Sequence, residues 1–138
     1  MSKTLYPFSV GNFRCFTFSD GMLYGNAERF FVGPTDEERA EALKKAVIEP
    51  DKVPSYFTPV FIDTGTHKVL IDTGIGVVDD PDYGFLLENL SSINVQPDDI
   101  DIVVNTHAHS DHISANVDER NLPRFTNARY IIHQAEWD

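Results

Sequence analysis

The sequence predicts an α+β domain. Three observations carry that expectation. Apolar residues alternate with a period of two in several short segments, the patterning of half-buried strands. One segment, 36–48, instead carries a capped helical pattern. The segment 100–105, with Ile102, Val103 and Val104 consecutive, reads as a strand in a sheet covered on both faces. The chain has 138 residues and is 41% hydrophobic. That suits one domain spanning 1–138, which would bury about two thirds of the surface its unfolded form exposes.

The elements follow in order. Residues 5–19 read as strand material. Within them Phe13, Cys15 and Thr17 alternate with Arg14, Phe16 and Phe18, and both sides carry enough apolar surface to be partly buried. Asp20-Gly21 and Tyr24-Gly25-Asn26 mark turns. The helix at 36–48 has Thr35 as N-cap and Glu38 three residues later as the partner of a capping box. Acidic residues fill its first turn, and Lys44 and Lys45 lie late, as the helix dipole favours. Ala40, Leu43 and Val47 form its apolar stripe with Ala46 beside it, and Pro50 stops it. Residues 59–63 and 67–72 form a β-hairpin turning at Gly65. The following Asp72-Thr73-Gly74-Ile75-Gly76 predicts a loop in close contact with its surroundings, because glycine permits approaches other residues resist. A helix over 82–92 faces the core with Phe85, Leu86 and Leu90. After the strand at 100–105, a short helix starts near Asp111, 121–128 is loop, 129–133 is a strand, and 134–138 opens another helix.

Composition excludes several functions. Eleven basic residues face twenty-two acidic ones, a formal net charge of -11. Between Val69 and Glu119 there is no Lys or Arg, yet eleven Asp or Glu. Nucleic acid and anionic membrane surfaces both require the opposite, a basic patch. An acidic surface serves solubility, and some of its acids would also offset bound divalent cations. The single cysteine, Cys15, excludes an intramolecular disulfide and reads as a core thiol. No segment has the apolar run of a signal peptide or a membrane span, so a cytoplasmic location is expected.

The chemistry concentrates in Thr106-His107-Ala108-His109-Ser110-Asp111-His112. Three of the five histidines lie here, directly after a buried strand, where α/β architectures place functional loops. Imidazole and carboxylate donors without thiolate suit Zn²⁺, with iron or manganese as alternatives. In extended backbone, residues two apart point the same way, so His107 and His109 can converge on one metal. Asp111 and His112 are adjacent and diverge, so they can reach a second. Ser110 lacks the Gly-x-Ser-x-Gly context of a nucleophile and reads as a spacer or local cap. His133, within a strand, and His67, beside a hairpin turn, are not read as ligands.

This run resembles the metal-binding motif of the metallo-β-lactamase superfamily. The resemblance is best from about residue 57 onward, and its texture is similar to the branch of lactonases and organophosphate hydrolases. It implies an αββα sandwich. It implies that His107 and His109 bind one divalent ion and that Asp111 and His112 bind the other. The stretch Val69–Gly74 resembles the family's early strand and loop, which makes Asp72 a supporting residue beside the metal centre. Residues 129–137 resemble the strand and helix start that follow the motif. Ser114 and Ala115 depart from the family, which places a glycine soon after the motif. Family members are longer, and their remaining ligands would follow residue 138. The expectation is therefore a sandwich truncated to its N-terminal half.

In a complete site the resemblance implies a metal-bound hydroxide that attacks a lactone, ester or related neutral small-molecule substrate, with Asp111 as ligand and proton acceptor. Two donors per metal fall short of a catalytic zinc site, which has three protein ligands, so weak metal binding and poor hydrolysis are expected of these residues alone. The alternatives are a di-iron redox protein of the same fold, or a noncatalytic fragment or binding domain. Oligomeric state is not legible.

Overall fold

The computed structural model describes residues 5–76 and 80–137. The chain forms two compact units, one of Met1–Gly21 with Phe57–Asp138 and the other of Met22–Tyr56.

The larger unit is built on a six-stranded mixed sheet. Strands β1 (Leu5–Val10) and β2 (Phe13–Phe18) form an antiparallel hairpin, where the sequence reads as one stretch of strand material. The break is at Gly11, whose φ of 58° turns the chain. Strand β2 pairs with β5 (Val60–Asp63), and β5 pairs with β6 (Lys68–Ile71), both antiparallel. The expected β5–β6 hairpin turns at Gly65, φ 85°. There the Asp63 carboxylate accepts from the Gly65 amide at 2.9 Å. From β6 onward the sheet is parallel. Helix α3 (Leu86–Ser92) connects β6 to β7 (Ile102–Asn105), and helix α4 (Ser110–Ile113) with a long loop connects β7 to β8 (Arg129–Ile132). The strand order is β1-β2-β5-β6-β7-β8.

The core of this unit joins the sheet to α3. Phe18, Phe61, Leu70, Val103, Leu86, Leu90, Ile100 and Phe125 are buried together. Each such side chain contributes roughly 1.5–3 kcal/mol by leaving water. Leu86 and Leu90 fill the core as expected, whereas Phe85 precedes the helix and is half-buried. In β7, Val103 and Asn105 are buried, and Ile102 and Val104 are half-buried. Cys15 is buried, as a core thiol should be.

The smaller unit contains a two-stranded sheet of β3 (Gly21–Gly25) and β4 (Val53–Phe57), with helices α1 (Ala27–Phe30) and α2 (Asp36–Ala46). Here the sequence misleads. Asp20-Gly21 and Tyr24-Gly25 look like turns but bracket a strand. Strand β4 was hidden by Pro54, and α1 has a single turn. The capping box of α2 forms as expected: Thr35 Oγ1 accepts from the Glu38 amide at 3.3 Å, and Glu38 Oε2 accepts from the Thr35 amide at 2.8 Å. The helix stops before Pro50, because Val47 adopts a left-handed cap at φ 58°. Val47 is consequently 91% exposed, and of the expected stripe only Leu43 is buried.

Asp138, the last residue of the helix start at 134–138, lies outside the described residues. Residues Gln134–Glu136 form a 3₁₀ turn. None of the described helices is long and apolar enough to cross a membrane.

Candidate metal centre

Strands β6 and β7 run parallel, so their carboxyl ends lie side by side. Loops at such ends are where open α/β sheets hold ligands. Asp72 directly follows β6, and Thr106 and His107 directly follow β7. The Asp72 amide continues the ladder by donating to the Val104 carbonyl at 2.9 Å. The sheet thus sets Asp72 against the histidine run before any side chain is considered.

Asp72 then organises the run. Its backbone is left-handed, φ 57°, and its carboxylate accepts three hydrogen bonds. Oδ1 takes the Thr106 amide at 2.7 Å. Oδ2 takes the Thr106 hydroxyl at 2.7 Å and His112 Nδ1 at 2.8 Å. Because a carboxylate only accepts, Nδ1 of His112 must carry the proton, which leaves the Nε2 lone pair free. The Thr106 hydroxyl spends its own proton on Asp72, so it can only accept from His107 Nδ1, 3.1 Å away. That bond likewise frees His107 Nε2.

The freed nitrogens point at other donors. His107 Nε2 lies 3.1 Å from His109 Nδ1, and His112 Nε2 lies 3.5 Å from Asp111 Oδ2. Two donors bound at about 2.05 Å to one tetrahedral zinc stand about 3.3 Å apart. Both separations suit a pair of ligands sharing a divalent ion. In a metal-free chain the histidine pair can equally share an N–H···N hydrogen bond. The rings of His107 and His112 lie 3.9 Å apart between centroids, and those of His107 and His109 lie 4.6 Å apart. Among the described residues, no three His, Cys, Asp or Glu side chains are grouped so as to hold one ion. Imidazole and carboxylate donors are of the kinds that bind a divalent ion, and the described residues bring them together in pairs.

Further residues brace the loop. The Thr73 amide donates to the His112 carbonyl at 2.7 Å, and its hydroxyl reaches that carbonyl and Asn116 Oδ1, each at 3.2 Å. Asn116 Nδ2 donates to Asn105 Oδ1 at 3.2 Å, tying the loop back to β7. Glu136 Oε2 accepts the Ala108 amide at 2.9 Å, between the two histidines of the first pair. Ser110 opens α4 without capping it, since that helix has no side-chain cap. Gly76 closes on the same region, because a Cβ there would meet the Ser114 carbonyl carbon at 3.3 Å. His67 and His133 are exposed.

The family model for the metallo-β-lactamase superfamily matches residues 58–137, more than half of the chain. The chain belongs to this superfamily. Over 52 residues it is 40% identical to a probable metallo-hydrolase of Methanocaldococcus jannaschii, a match covering 38% of this chain and 23% of that protein. AidC, a dizinc quorum-quenching lactonase solved in complex with a product, superposes with a TM-score of 0.86 at 27% identity, covering 97% of this chain and 46% of AidC. The hydrolase AbOPH superposes with a TM-score of 0.84 at 23% identity, covering 99% of this chain and 46% of that one. The chain thus spans about half the length of these solved structures and about a quarter of the curated relative. The fold is that of the superfamily, as the histidine run implied.

Of the predicted site residues, His107, His109, Asp111, His112 and Asp72 all meet at the ends of β6 and β7. Thr106, Thr73, Asn116 and Glu136 were not singled out. Thr106 is part of the run, but a lone threonine carries no ligand signal of its own. The other three act over sequence separations that no local pattern reveals.

Proposed function

We propose that this chain carries part of the active site of a metal-dependent hydrolase acting on lactones, esters or related neutral small molecules. The observation that carries the proposal is the pairing of donor atoms, His107 Nε2 with His109 Nδ1 and Asp111 Oδ2 with His112 Nε2. The likeness to AidC supports a lactone or ester as substrate. The absence of Lys and Arg between Val69 and Glu119 also favours a neutral substrate, since that segment offers a polyanion no cationic side chain.

In this reading His107 and His109 hold one ion, Asp111 and His112 the other. Zn²⁺ suits the donors best, and iron or manganese are compatible with them. Bound there, divalent ions would supply Lewis acidity for activating a water and for offsetting oxyanion charge. Asp72 keeps His112 in the tautomer that can ligate, and through Thr106 it does the same for His107. Asp111 is the carboxylate of the run and would also serve to take up a proton. Each ion needs donors beyond these four, so the 138 residues alone bind metal weakly and turn over slowly.

The test measures metal content and hydrolysis together. His109→Ala lowers both bound zinc and the rate on a lactone, aryl ester, phosphotriester or thioester panel. Unchanged metal stoichiometry with an unchanged rate would refute the reading.

A further inference from the structure

Asp20 is the only charged side chain buried in the core among the described residues, at 0% exposure. It lies outside the histidine run, and nothing in the proposed chemistry uses it. Its partners are all backbone. Oδ2 accepts the Ile75 amide at 2.9 Å, and Oδ1 accepts the Leu86 amide at 2.6 Å. Its own carbonyl accepts the Gly84 amide at 2.7 Å, and its amide donates to the Phe57 carbonyl at 2.9 Å. Gly74 packs flat against the carboxylate, since a Cβ there would meet Oδ2 at 2.0 Å. One side chain therefore ties the loop after β6 to the start of α3, with Asn89 Nδ2 holding the adjacent Ser19 carbonyl at 3.0 Å.

Burying a carboxylate is costly unless its acceptors are all used. A neutral core residue would serve packing alone at lower cost. What the carboxylate adds is a fixed position for the loop 72–76. That loop begins with Asp72, in a left-handed conformation, φ 57°, which an unsupported Asp adopts reluctantly. Its next residue, Thr73, holds the His112 carbonyl at 2.7 Å.

We infer that Asp20 is a positioning residue for the metal centre: by anchoring the loop at Ile75 and Gly74, it sets Asp72 at the distance that keeps His112 protonated on Nδ1 and open at Nε2. This rests on His112 acting as a metal ligand. The experiment is done on metal-free protein, so the two readings fail separately.

Metal-free wild type, Asp20→Asn, Asp20→Ser and Val95→Ala are compared by ¹⁵N side-chain spectra of their histidines at pH 8. Val95 is a core residue, 6% exposed, that makes no hydrogen bond to Asp20, so its variant controls for lost stability. Wild type and Val95→Ala are expected to show His112 as a single Nδ1–H tautomer. Asp20→Asn and Asp20→Ser are expected to show a tautomer mixture at His112, with His67 and His133 unmoved. Zn²⁺ titration of the same samples is expected to show affinity at the Asp111–His112 pair lower by about tenfold. A folded Asp20 variant with a wild-type His112 tautomer overturns the inference. So does a Val95→Ala spectrum as mixed as theirs. If neither Asp20 variant folds, Asp20 serves folding of the unit, and the inference is again overturned.

Discussion

Replacing Asp72 by Asn separates the two things its carboxylate does. It accepts three hydrogen bonds, from the Thr106 amide, the Thr106 hydroxyl and His112 Nδ1. The amide oxygen of Asn can keep the first. The amide nitrogen then faces the other two partners and can only donate to them. The Thr106 hydroxyl can rotate to accept. His112 can accept only by moving its proton from Nδ1 to Nε2, and that removes Nε2 as a ligand. Fold stability should drop little, by about 1 kcal/mol, since the hydrogen bonds are remade in reverse. Metal affinity at the Asp111–His112 pair should fall 10- to 100-fold, or about 1.4–2.7 kcal/mol. Asp72→Ala would instead leave the Thr106 amide and His112 without their acceptor and cost about 2–4 kcal/mol of stability. Urea denaturation gives the stability terms, and calorimetric Zn²⁺ titration gives the affinity. Asp72→Asn with wild-type zinc affinity at both pairs would refute the tautomer argument.

Other outcomes follow from the same geometry. His109→Ala should lower the affinity of the chain for Zn²⁺, and His133→Ala should leave it unchanged, as read by calorimetric titration. Burial pushes the Asp20 carboxyl up from 3.8 to about 6, against the opposing pull of its backbone hydrogen bonds. The folded state therefore holds this proton more tightly than the unfolded one. The contribution is present in full below about pH 4 and lost as pH rises through 6, so wild type should gain up to about 3 kcal/mol over Asp20→Asn between pH 7 and pH 4 in urea titrations. Gly74→Ala, which combines a φ of 72° with a Cβ 2.0 Å from Asp20 Oδ2, should lower the thermal midpoint sharply. Thr35→Ala removes the capping box of α2 and should cost about 1 kcal/mol, measured as a shift in the urea midpoint.

The sheet of the larger unit was legible where local chemistry and tertiary structure agree. Gly65 announced its hairpin, the continuous apolar run announced β7, and Thr35 with Glu38 announced the start of α2. The candidate centre was legible because His107, His109, Asp111 and His112 are nearly contiguous and directly follow a strand. What stayed hidden depends on distant partners. Strand β3 looks like turn chemistry because its glycines bracket it, and its strand character comes from pairing with β4. Asp20 looked like the first half of an Asp-Gly turn, yet its partners lie 55 and 66 residues away. The apolar stripe that the sequence suggests on α2 is cut short, because Val47 leaves the helix in a left-handed cap and is exposed.

The most direct test of the two-and-two arrangement is a Zn²⁺ titration of the metal-free chain followed through the side-chain ¹⁵N signals of all five histidines. The account predicts that His107 Nε2, His109 Nδ1 and His112 Nε2 take on metal-bound shifts, that His107 and His109 move together, and that His67 and His133 stay still. Zinc that moves His67 or His133 at the same concentration, or leaves His112 Nε2 untouched while binding the others, would contradict it.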